Sequence, residues 1–80
     1  MAIWHETIDL ADIWKAYRAD ELEFPELRSR TAAAFRRSEW AEEYELATLF
    51  EEAANLDEFN GTLNYAYDMA DEDRVWINTF

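Results

Sequence analysis

The residues that most often carry chemistry are supplied very unequally here: one His, no Cys, and nineteen Asp and Glu among eighty residues. A Ser-His-Asp or Cys-His arrangement would have to use His5, yet the chain has neither a Gly-x-Ser-x-Gly elbow nor a thiol. The bland place for His5 is a strand. One His without Cys also falls short of a zinc ligand set. Paired carboxylates occur at Glu42-Glu43, Glu51-Glu52 and Asp57-Glu58, but neighbours on a helix point about 100° apart and do not converge on one substrate bond. Asp71-Glu72-Asp73 has the acid density that opens a calcium loop, without the glycine at the sixth position or the distal glutamate. Asn60-Gly61-Thr62 fits a glycosylation sequon, which carries meaning only behind a secretory signal. The expectation is a protein that is not an enzyme and holds no metal or cofactor.

The carboxylates are more informative as a surface. Residues 1–37 hold seven acids against six bases, whereas residues 38–80 hold twelve acids against Arg74 alone. All twelve lie between Glu39 and Asp73, where there is no Lys or Arg. A second half this acidic repels nucleic acid and anionic membrane and attracts basic surfaces. Half the residues are hydrophobic and thirteen are aromatic, which separates the chain from acidic disordered segments that cannot offset the entropy of ordering. Eighty residues make one domain with a small core. Absence of cysteine fits a reducing cytoplasm, and the N-terminus shows neither a basic n-region nor a long apolar run, so neither a signal peptide nor a membrane span is expected.

Several elements must position that surface. Residues 3–8, β-branched and aromatic, read as a strand, and Asp9 as the cap of a helix over about 10–22 with Leu10, Ile13, Trp14 and Tyr17 at helical spacing. Pro25 suits the start of a second helix over 26–37, with Leu27, Thr31, Ala34 and Phe35 on one side. Trp40 and Tyr44 are out of phase with Leu46, Leu49, Phe50 and Ala53, so the helix must break, with Ser38 as the cap of a third helix reaching Asn55. The segment after Asp57 reads two ways. At period 3.6, Phe59, Leu63, Ala66, Tyr67 and Ala70 share a helix face; at period 2, Asn60-Gly61 is a hairpin turn and Leu63, Tyr65, Tyr67 and Met69 alternate in a strand. The alanines and the Asp57 cap favour the helix. Asp71-Glu72-Asp73 then turns the chain into a second strand over 75–80. The expected fold is α+β: about four short helices packed on a two-stranded antiparallel β-ribbon formed by the N- and C-terminal segments.

In that arrangement Glu45, Glu51 and Glu52 point outward from the third helix, and Asp57, Glu58 and Asp68 lie along the next. Trp40, Tyr44 and Tyr65 fit no apolar stripe: they either bury against other elements or stand among carboxylates, as interface anchors do. The expected partner-binding set is Trp40, Glu42, Glu43, Tyr44, Glu45, Glu51, Glu52, Asp57, Glu58, Asp68, Asp71, Glu72 and Asp73. In size, lack of cysteine, charge run and aromatic-rich core, the chain resembles the small acidic inhibitors of phages and mobile elements, the anti-CRISPR and anti-restriction proteins that act as DNA mimics. That resemblance is one of type. It implies a cytoplasmic, non-enzymatic protein that blocks the basic nucleic-acid-binding surface of a host defence nuclease or of its DNA-recruiting complex. The alternative is an acidic interaction module, such as an antitoxin or a regulatory partner of a basic protein.

Overall fold

The computed structural model describes residues 5–80, and the first part of the expected N-terminal strand lies outside them. The order of elements is β1 (Glu6–Asp9), α1 (Ala11–Arg18), α2 (Phe24–Arg36), α3 (Glu39–Glu43), α4 (Leu46–Glu52), α5 (Leu56–Asp73) and β2 (Val75–Asn78). The class is α+β, as expected, but β1 and β2 are parallel, with Ile8 opposite Ile77. The alternation of Ile8, Val75 and Ile77 into the core and of Thr7 and Trp76 outward is the same for either strand direction, so period alone carried no orientation. The connection permits the parallel direction, and helix packing selects it. A parallel pair needs a long crossover, and the five helices supply it. His5 lies just before β1 and is exposed, its backbone N–H donating to the Arg74 carbonyl at 2.8 Å.

The helix ends explain where the sequence boundaries moved. Leu10, not Asp9, is the N-cap residue of α1 and has no side-chain cap; Asp9, the last residue of β1, accepts the Ala11 N–H on its Oδ1 at 2.9 Å from just outside the helix. That helix stops at Arg18, short of Leu22, because Asp20 takes a left-handed φ of 65°. The Asp20 and Glu21 N–H groups return to the Tyr17 and Ala16 carbonyls, a Schellman closure that a short polar Asp tolerates. Pro25 sits in the first turn of α2 as expected. Ser38 caps α3, its Oγ accepting the Ala41 N–H at 3.1 Å while its hydroxyl donates to Glu6, which ties α3 to β1. The single third helix is in fact two. Glu45, with φ 54°, breaks it and resets the phase so that Leu46 and Phe50 enter the core, while Leu49 is left 39% exposed. Asn55, not Asp57, caps α5: its Oδ1 accepts the Glu58 N–H at 2.9 Å. The acidic triplet does not turn the chain either. It is the last helical turn of α5, and Arg74 at φ 58° makes the reversal into β2.

The core is a run of rings. Phe35 on α2 lies 4.6 Å from Phe50 on α4, which lies 5.1 Å from Phe59 on α5, and all three are fully buried. Phe59 in turn meets Trp14 of α1 and Phe24 of α2 edge-on at 5.9 and 6.0 Å. Arg28 spans α2 and α4, donating to the Ala53 carbonyl at 2.8 Å with its guanidinium over the Phe24 ring. Residues 62–69 are helical, and Gly61 is an exposed position inside α5 where an added Cβ would meet nothing within 4 Å. Gly61→Ala is therefore expected to stabilise the fold by about 0.5–1 kcal/mol, since it removes backbone freedom from the unfolded chain and adds no clash. A thermal midpoint equal to or below that of the parent would contradict it.

Candidate functional site

The out-of-phase aromatics of α3 meet the acidic end of α5. Trp40 Nε1 donates to Asp73 Oδ2 at 2.7 Å, and the Tyr44 hydroxyl donates to the same oxygen at 3.1 Å. The two rings stand edge to face at 5.7 Å. This pairing has a clear reason: α5 ends in three carboxylates where its dipole is negative, so donors from α3 relieve a charge that the helix itself disfavours. The hydrogen bond to Asp73, reinforced by that carboxylate's charge, raises the Tyr44 hydroxyl above its ordinary pKa, and Glu43 and Tyr65 add in the same direction. The contact in the geometry is that of Tyr44 and Trp40 with Asp73.

The three aromatics left open by the sequence thus divide. Trp40 is half-buried and packs against the core, whereas Tyr44 is 39% and Tyr65 50% exposed. Tyr65 lies on the same α5 face as Asp68 and Glu72, three and seven residues on, opposite the buried stripe of Phe59, Leu63, Ala66 and Ala70. Tyr65 therefore stands exposed beside these acids, although the expected set omits it. The signal was its helical phase, which already set it off the apolar stripe.

The other acids lie on α3, α4, their junction and α5. Glu42 and Glu45 border a groove of about 440 Å³ between α2 and the α3–α4 junction, together with Phe35, Arg36, Ala47 and Thr48. Glu51 is drawn away from the set, because Arg36 of α2 pairs with it. Glu52 is exposed at the end of α4, and Asp57 and Glu58 lie in the first turn of α5, where they favour the positive end of the helix. Asp57 is about 16 Å along the axis from Asp68 at 1.5 Å per residue, so the α5 acids form a line and not a cluster. Among the described residues only Glu51 of the twelve acids from Glu39 to Asp73 is ion-paired.

No family model, curated protein or solved structure matches the chain. The surface itself therefore carries the functional reading. Among the described residues, no three His, Cys, Asp or Glu side chains are gathered as metal ligands would be, and no helix is long and apolar enough to cross a membrane.

Proposed function

We propose that this chain is a cytoplasmic, non-enzymatic binding protein of the DNA-mimic type, which occupies the basic nucleic-acid-binding surface of a host defence nuclease or of its DNA-recruiting complex. The observation that carries this reading is the exposed, almost unneutralised acid run of α3 to α5 with Tyr44 and Tyr65 standing in it. Charge density sets what it imitates. The six acids of the eighteen-residue α5 average one per about 4.5 Å of axis at 1.5 Å rise per residue, which is sparser than either strand of a duplex. Among the described residues eleven of the twelve acids from Glu39 to Asp73 are not ion-paired, and they come from α3 and α4 as well as α5. The reading is therefore of a sparse row of phosphates, with the tyrosines supplying the contacts that charge alone does not.

The test is capture from a host lysate at low salt, elution with sodium chloride, and a DNA competition assay on the eluted protein. A nucleic-acid-binding protein or complex, whose DNA binding the chain then blocks, is the expected result. Capture solely of a small basic protein without nucleic-acid affinity would favour an antitoxin instead, and a captured complex that still binds DNA in the presence of excess chain would overturn the mimic.

A further inference from the structure

On one part of the surface the two signs of charge balance. A groove of about 320 Å³ lies between α1 and α2, with Ile13, Ala33 and Ala34 along it. Asp9 and Asp12 stand on one side, Arg30 and Arg37 on the other. No ion pair crosses it: Arg30 sits 3.8 Å from Glu26 of its own helix, and neither Asp12 nor Arg37 has an ion-pair partner among the described residues. Between Arg30 and Arg37 the α2 face offers only the methyl groups of Ala33 and Ala34, and Ala33 is exposed. Side-chain size at the contact sets how near a second helix can come, so this face admits a close approach.

We propose that this groove is the contact between two copies of the chain related by a two-fold axis, the Asp12 side of each copy lying against the Arg30 and Arg37 side of the other. A two-fold contact applies one patch to itself, so the patch must be self-complementary. Opposite signs on opposite sides of one groove meet the electrostatic part of that condition. A uniformly basic or uniformly acidic partner would instead face one side of its own sign, and like charges in an interface cost heavily. The contact also avoids the acid run, since the chain's net charge of −12 comes mostly from residues 38–80, none of which borders the groove. The inference does not depend on the proposed partner: none of the α3 or α5 acids takes part in it.

Sedimentation equilibrium of the intact chain at physiological ionic strength tests it. The parent chain is expected to pass from monomer to dimer with rising concentration. Arg30→Glu with Arg37→Glu, or Asp12→Lys alone, is expected to raise the dissociation constant at least about tenfold, because each places like charges across the contact. An equimolar mixture of the two reversed chains is expected to recover the association, since each then supplies the charge that the other needs. All three positions are solvent-facing or border the groove, and circular dichroism verifies that each chain is folded; if the double arginine reversal unfolds, Asp12→Lys mixed with parent chain serves, with the mixed dimer expected to be tighter than the Asp12→Lys homodimer. A parent chain that stays monomeric, reversed chains that dimerise as the parent does, or reversed chains that stay apart when mixed would each overturn the proposal.

Discussion

Phe50→Ala is expected to remove about 3–5 kcal/mol of folding stability, the usual cost of truncating a fully buried aromatic. The size follows from its position. Phe50 is the middle ring of the run, fully buried and in contact with Phe35 on one side and Phe59 on the other, so the cavity would open where three helices meet. A chain of eighty residues at about 0.05–0.15 kcal/mol per residue has roughly 4–12 kcal/mol in all. The substitution therefore consumes much or all of it. Urea unfolding followed by circular dichroism gives the measurement, with Leu49→Ala, one residue away and 39% exposed, as the matched control expected to lose far less. Equal losses for the two would mean that the phase assigned to α4, and with it the break at Glu45, is wrong.

Against a captured nucleic-acid-binding partner, Asp68→Lys with Glu72→Lys is expected to lower the association rate by about 10-fold or more at low salt, and by less as salt rises. The same reversal at Glu21 and Glu23, exposed acids of the α1–α2 link, is the control and should have a much smaller effect. Tyr65→Ala is expected to act on the other rate. The ring is half exposed beside those acids and supports no core contact in the ring run, so its loss should raise the dissociation rate and leave the thermal midpoint nearly unchanged. Trp40 is less useful for this purpose. It packs against the core and holds Asp73, so Trp40→Ala would lower stability and binding together. Identical kinetics for the α5 reversal and the link reversal would remove the acid run from the contact and leave it as a solubilising surface.

Much of the site was legible in the sequence because it depends on local properties. An acid run without bases is exposed wherever it lies, since an unpaired carboxylate is too costly to bury. The break in phase between Trp40 and Leu46 was also legible, because helical period is a property of neighbours. What the period could not say was how many breaks relieve it: Ser38 supplies one through its cap, and Glu45 a second by taking a left-handed conformation that no residue preference announces. Tyr65 was marked in the sequence by its helical phase, off the apolar stripe and in line with Asp68 and Glu72, although the expected partner-binding set left it out.

Composition and period by themselves determined the α+β class, a ring-rich core, helices beginning near Pro25 and Ser38, and an acidic second half turned to solvent. Each of those follows from interactions a few residues long or from the sum of charge. Only the tertiary structure decided that the strands run parallel, that Asp73 of α5 receives Trp40 and Tyr44 of α3, that Arg36 takes Glu51 out of the acid run, and that Asp12 faces Arg30 and Arg37 across an unbridged groove. Those features join residues between 15 and 69 positions apart, and their geometry is fixed by how five helices pack around three buried rings. Alternation of side chains is blind to strand direction, and net charge is blind to which acid a given arginine reaches; both become definite only when the core sets the distances between elements.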